Sequence, residues 1–325
     1  MLNTKKLQLS YKRYSKNFVE GIKFEDVEET YLESFNRITQ IVNLNEIEKD
    51  HILLIDLDSI ESYNLSKWKR DVLVNHGENS DELKKIMMVI FHQCMAQNLY
   101  KSRYPKVFVE YTFEDVIKTL IHFTMFGWEK EEKILFNFIV DHFDSRWMKA
   151  NDLNKHTWFL LELYLQFRNK TIFGTNQNLH KAVREQFKKM DLEYGLIPEE
   201  LDVYTEVLKH WETPQLDEIK ILTDKMSEYH SILASELGES LEFGDFGYGF
   251  YPYEILFLLF VRKQRGLPVP EEFEDFLMNT PEAKMKMNDP EPYPEWDPLL
   301  KLIDGFYRKN YPNYIPNQYG ELFQN

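Results

Sequence analysis

Apolar residues recur along this chain mostly at steps of three and four, the spacing that lines one face of an α-helix. Between residues 24 and 42, Val27, Tyr31, Phe35, Ile38 and Val42 form one such stripe. Ser80 stands where a cap is wanted for a helix over 81–100, with Asp81 and Glu82 in the first turn, near the positive end of the dipole. Its inner face carries Leu83, Ile86, Met87, Ile90, Cys94 and Leu99. Thr112 is placed to cap a helix over 113–126, with Asp115 at the reciprocal position of a capping box. Gly127 ends that helix and 128–143 forms the next, so the two are expected to pair as a hairpin. Further helices are expected near 154–168, 178–190, 199–211, 214–237, 252–265, 270–278 and 297–310. Pro214, Pro270 and Pro298 suit first helical positions, where a missing N–H costs nothing. Gly238 and Gly266 suit left-handed C-terminal caps.

Strand signals are weak. The run HILLIDL, residues 51–57, is the best short candidate, and it lacks a partner run. The chain therefore reads as all-α, an irregular multi-helix bundle of stacked helical hairpins with little or no β-sheet. No repeat of about 34 or 40 residues is present, which argues against a regular solenoid. The pattern suggests a basic N-terminal arm (1–23), an N-terminal helical half (24–150), a C-terminal helical half (151–311) and an extended tail (312–325). A polar stretch, 143–154, joins the halves, and 238–251 reads as a loop that holds four of the twelve glycines.

Composition narrows the class. Hydrophobic residues make up 43% and aromatics 15%, enough for a packed core rather than a disordered chain. The longest apolar run, 255–261, is too short to span a bilayer, and the start has no apolar segment of the signal-peptide kind. Cys94 is the only cysteine, so neither an intrachain disulfide nor a cysteine-rich zinc site can form. A cytoplasmic protein is expected.

Charge is more informative. The net charge is −15, yet residues 1–23 carry six cations against Glu20 alone, a net of +5. Residues 199–245 carry thirteen acids against Lys209, Lys220 and Lys225, a net of −10. Residues 271–297 carry nine acids against Lys284 and Lys286, a net of −7. A field of that sign repels nucleic acid and anionic membrane and favours a basic partner. It is equally the ordinary field of a well-solvated protein.

Catalytic motifs are absent. There is no H-E-x-x-H, no G-x-S-x-G and no Walker-type loop. Glu48-Lys-Asp-His51 matches half of a di-iron pattern, once. His122 and His142, on neighbouring helices, lack a positioned carboxylate. Cys94 lies on an apolar face, where a thiol is inert. Neither catalytic residues, nor a metal, nor a cofactor is expected. The most unusual segment is aromatic: Phe243, Phe246, Tyr248, Phe250, Tyr251 and Tyr253. Such rings either pack the loop onto the helix that follows or form a contact surface with an acidic rim. On the second reading the partner-binding residues are Glu236, Glu239, Glu242 and Asp245, with Tyr248 as an anchor.

The string GDFGYGFYPYEILFLLFVRKQRGLPVP, residues 244–270, resembles the C-terminal domain of the PoNi-type immunity proteins. In that family a short aromatic, glycine-containing motif with a glutamate opens a buried helix. The matching positions are Gly247, Tyr248, Tyr253 and Glu254. Helices over 81–143, with the turn Phe126-Gly127-Trp128, resemble the helical N-terminal half of the same family. The resemblance spans about residues 60–310 and implies a non-enzymatic immunity protein, monomeric or homodimeric, that neutralises a cognate DNase-type toxin. Such toxins are basic because their substrate is a polyanion, and an acidic inhibitor complements them. The alternatives from the residues alone are a helical scaffold or adaptor without a toxin partner, or an enzyme with a carboxylate-based site between helices.

Overall fold

The structure, a computed structural model, describes residues 3–75, 77, 79–100, 112–143, 148, 150–288 and 290–324. Positions 144–147 and 149 of the polar joint lie outside the described residues. The fold is all-α. Among the described residues there are twelve α-helices and no strand, only an isolated bridge between Ile172 and Thr175. No helix among them is long and apolar enough to cross a membrane.

The chain forms two compact units, each assembled from two separate stretches. Met1–Asn17 joins Asn137–Lys286, and Phe18–Phe136 joins Met287–Asn325. The division therefore does not follow the two linear halves suggested by the sequence.

The second of these units contains α2 (Phe24–Leu44), α3 (Asp50–Val74), α4 (Asp81–Tyr100), α5 (Phe113–Met125) and the start of α6 (Glu129–His142). It closes with α12 (Pro298–Asn310). The strand candidate 51–57 is interior to α3. Leu53, Leu54, Leu57, Ile60, Trp68 and Val72 are wholly buried there, between α2 and α4. A helix covered on several sides loses its stripe, so a continuous apolar run mimics a buried strand. The box at Thr112 forms as expected. Its hydroxyl accepts from Asp115 N at 3.1 Å, and Asp115 Oδ2 accepts from Thr112 N at 3.3 Å. Gly127, at φ +70°, ends α5. The partner of α5 is α4.

Pro298 occupies the first turn of α12, and the Asp297 carboxylate accepts from Leu299 N and Leu300 N. The expected extended tail instead folds back. Residues Ile315–Tyr319 make a 3-10 turn, and the Phe323 ring packs among Phe91, Trp128 and Trp296.

The first unit contains α1 (Thr4–Lys16), the end of α6, α7 (Lys155–Arg168), α8 (Leu179–Lys189), α9 (Val203–His210), α10 (Leu216–Ala234) and α11 (Tyr253–Gln264). The basic arm is thus largely a helix. Its inner residues Leu7, Ser10 and Tyr14 are buried and its cations point outward. Ser10 Oγ donates to Ser235 O at 2.7 Å, which ties α1 to the end of α10. No α-helix forms over 270–278. Asp275 instead accepts from Met278 N and from Ser227 Oγ, so its side chain closes a single 3-10 turn, Leu277–Asn279, and pins it to α10. A short acidic side chain that can bond nearby backbone competes with helix in this way.

Candidate docking surface and the network behind the glycine-rich loop

The 238–251 loop follows α10. Gly238 takes φ +84°, and its N–H donates to Gly244 O at 2.7 Å, which turns the chain back on itself. Two further glycines are sterically required. A Cβ at Gly244 would lie 2.2 Å from Ser240 O, and one at Gly249 would lie 2.4 Å from Asp245 O and 2.6 Å from Phe243 O. Position 249 therefore admits no side chain without a shift of the backbone around it.

Apart from the half-buried Phe246, the aromatic run faces inward. Phe250 and Tyr251 are wholly buried, Tyr253 is 1% exposed, Phe243 4% and Tyr248 8%. Tyr248 is therefore a packing residue and not an exposed anchor. Glu242 is also not a surface carboxylate. It is 6% exposed and accepts three hydrogen bonds, from His156 N at 2.8 Å, His156 Nδ1 at 2.7 Å and Tyr229 Oη at 3.1 Å. A buried carboxylate persists only when bonded in this way. Glu236 pairs with Lys6 of α1. Asp245 is exposed, and its Oδ1 accepts from Gly247 N at 2.7 Å and Tyr248 N at 2.5 Å, holding a turn. Of the five expected partner-binding residues, Glu239 alone presents an exposed carboxylate without a partner among the described residues.

The sequence reading did not single out His156, Tyr229 and His230, and these hold the loop. His156 Nδ1 donates to Glu242, so its Nε2 is the acceptor for Tyr253 Oη at 2.7 Å. His230 Nε2 donates to Gly249 O at 3.0 Å, while its Nδ1 faces Glu254 Oε1 at 2.8 Å. Phe243, at φ +56°, stacks its ring on His230 with centroids 3.6 Å apart. The signal that could have found them is weak: two histidines at inward positions of α7 and α10. In this geometry Tyr253 and Glu254, the two motif positions at the start of α11, latch the loop to α7 and α10. The Tyr-His-Glu chain has the order of a proton relay. It is buried, and what it does in this geometry is hold the loop to α7.

The other expected chemistry resolves similarly. His122 Nδ1 bonds Lys118 O and His142 Nδ1 bonds Phe138 O, each four residues back on its own helix. Burial drives the His122 imidazole down to about 3 and pushes the Cys94 thiol up. Among the described residues no group of three or more His, Cys, Asp or Glu side chains is placed to hold a metal ion.

In the first unit the outward side of α10 carries acids, flanked by the exposed Lys220 and by the exposed Lys225, which pairs with Glu206. Asp217, Ile221, Asp224, Glu228 and Ile232 recur there at steps of three and four. All five are exposed, Ile221 by 56% and Ile232 by 37%. The acidic segment 271–275 lies against the same helix, anchored through Ser227 and Asp275. Burial, then Asp275 and Glu274, push the Asp224 carboxyl above its ordinary value, with Lys220 opposing. The neighbouring acids add to that shift only after burial. Comparison of the chain with protein-family models, curated proteins and solved structures finds no match.

Proposed function

We propose that this chain is a non-enzymatic binding protein that neutralises a cognate basic toxin of DNase type. The acidic ridge of α10 and segment 271–275 would make the contact. The observation that carries the reading is the alternation of Asp217, Asp224 and Glu228 with the exposed Ile221 and Ile232 on one helix face. Exposed ion pairs alone contribute only about 0.2–1 kcal/mol each. Apolar anchors among the acids supply the desolvated area that tight association needs. The carboxylates steer a cationic partner, and the isoleucines retain it. The resemblance of residues 244–270 to the PoNi-type immunity proteins names the partner class, and the net charge of −15 suits it.

The test is protection of cells that express the toxin encoded beside this chain. Asp224→Lys, Glu228→Lys and Glu274→Lys together should abolish protection and binding while the helical circular dichroism spectrum is unchanged. Reversing Glu239 alone should leave protection intact. Full protection by the folded triple variant would dismiss this surface, and the absence of any toxin beside the chain would dismiss the partner class.

A further inference from the structure

A cavity of about 310 Å³ opens in the first unit among α7, the start of α8, and α9. Its wall carries Glu162, Gln166, His180, Thr205 and Trp211. The Glu162 carboxylate is nearly buried and caps α8. Its Oε1 accepts from Asn178 N at 2.8 Å and its Oε2 from Leu179 N at 2.9 Å. It does this because Asn178, held at φ +51°, gives the helix no side-chain cap of its own. Gln166 Nε2 adds a weaker bond to Oε1 at 3.4 Å, so of about four lone-pair sites on an ionised carboxylate one is left.

His180, 3% exposed, lies beside it, with Nδ1 4.0 Å from Glu162 Oε2. Neither ring nitrogen makes a hydrogen bond of normal geometry, although the Glu199 backbone lies close enough to act on the ring, and Thr205 Oγ1 is buried without one. Burial lowers the imidazole to about 4, so the ring is neutral at pH 7 and one nitrogen is an acceptor. Gln166 is held in place, with its Oε1 accepting from Trp211 Nε1 at 2.7 Å. Buried polar groups are normally bonded. Here two uncommitted ones converge on one cavity beside a carboxylate.

The sign of the charges selects the ligand. The cavity wall has no buried cation. Lys209 is exposed at the rim, where Glu212 opposes it. An incoming carboxylate or phosphate would therefore meet Glu162 unpaired, which is costly in a buried place. An ammonium group brings three donors and no acceptor. Those donors match Glu162, His180 and Thr205, while Leu201 and Leu208 can cover an alkyl stem. We propose that this cavity binds a primary ammonium group carried on a short alkyl chain. The proposal does not depend on the toxin reading.

The test follows the His180 ring resonances of the full chain by NMR at pH 7, together with calorimetry. The probes are n-butylamine and 1,4-diaminobutane for a free amine, Nα-acetyl-lysine amide for a lysine side chain, and n-butanol and butyrate as controls. Saturable binding of n-butylamine about tenfold or more tighter than n-butanol, with no butyrate binding, supports the site. Glu162→Gln should erase the preference for amine over alcohol, with its single carbonyl oxygen keeping one of the two cap bonds to α8. Thr205→Val should weaken the amine about threefold or more with an unchanged melting temperature, and it carries the test if the Glu162 variant misfolds. Tighter binding of 1,4-diaminobutane assigns a free amine, and tighter binding of the lysine amide assigns a peptide side chain. Equal binding of amine and alcohol, preference for butyrate, or no saturable shift at about 50 mM amine would overturn the proposal.

Discussion

Replacing Glu242 by alanine removes one carboxylate and strips two buried donors and one half-buried donor of their acceptor: the main-chain N–H of His156, its Nδ1–H and the Tyr229 hydroxyl. A hydrogen bond to an ionised group nets about 1.5–3 kcal/mol, and a buried donor left unpaired costs about 1–3 kcal/mol. Relief of the carboxylate's own desolvation offsets part of this. A net loss of about 3–4 kcal/mol is expected, at the upper end for a point substitution. For a unit of this size, 1 kcal/mol moves the melting temperature by about 2–4 °C, so a fall of about 6–16 °C is expected by calorimetry at pH 7. Glu239→Ala, at an exposed carboxylate one turn away in sequence, is the control and should change stability by less than about 0.5 kcal/mol. Tyr229→Phe extends the measurement into a cycle. It should cost about 1 kcal/mol in the parent chain and almost nothing in the Glu242→Ala background, because its partner is already gone. Equal melting temperatures for the Glu242→Ala and Glu239→Ala proteins, or additive losses in the cycle, would refute the account of the loop as anchored by this network.

Two titrations should act in opposite directions. Burial, then Asp115, push the Glu61 carboxyl from 4.5 up to about 8, so it weakens the fold as pH rises from about 4.5 to 8. Glu61→Gln should therefore be more stable than the parent at pH 8.5, by about 1–3 kcal/mol in urea melts, and the gap should shrink towards pH 5. A gap that does not vary with pH would contradict this. His122 is lowered from 6.5 to about 3, so its neutral form supports the fold above pH 6.5 and that support is lost as pH falls towards 3. His122→Gln should flatten the acid limb of the stability profile between those values, and an unaltered limb would count against it. Gly249→Ala drives a Cβ into two backbone oxygens and should lower stability by about 2 kcal/mol or more, with faster proteolysis within 238–251. An unchanged proteolysis rate would show that the loop can yield.

Helices with one buried face were legible in the sequence, because a stripe at steps of three and four survives only when the other face meets water. The helix over 24–42, the Thr112 box and Pro298 stand where the pattern places them, but the buried face of that helix is Tyr31, Ser34, Ile38 and Ile41, and Phe35 of the expected stripe is exposed. α3 was not legible, since burial on several sides replaces the stripe with a run that suits strand equally. The expected helix at 270–278 failed because the Asp275 side chain bonds the backbone of its own turn and Ser227. The pairing of α1 with residues 137–286 was not legible either. It rests on contacts such as Ser10 with Ser235, more than two hundred residues apart, which leave no periodic trace. At the candidate site, the acids could be counted but not located. Glu242 and Glu239 are the same residue type three positions apart in one loop, and only the fold makes one an internal acceptor and the other a surface charge.

That contrast bears on how α10 could serve as a docking element. Its inner residues Ile219, Leu222, Met226 and His230 are buried, and His230 is held by Glu254 and the Gly249 carbonyl. Its far end is held by Gly238, and by Ser10 of α1 through Ser235 O. The backbone beneath Asp217, Asp224, Glu228 and the two exposed isoleucines is therefore fixed before any partner arrives. Only side-chain freedom is left to be lost on association, at about 0.5–1.5 kcal/mol for each immobilised long side chain. On the proposed function, the aromatic loop would contribute to recognition without touching the partner: it would supply rigidity, and the acids and isoleucines of α10 the contact. A disturbance of the latch at Glu242 should accordingly weaken binding through the loosened end of α10, Ile232 and Glu228 first, while Asp217 at the opposite end is spared.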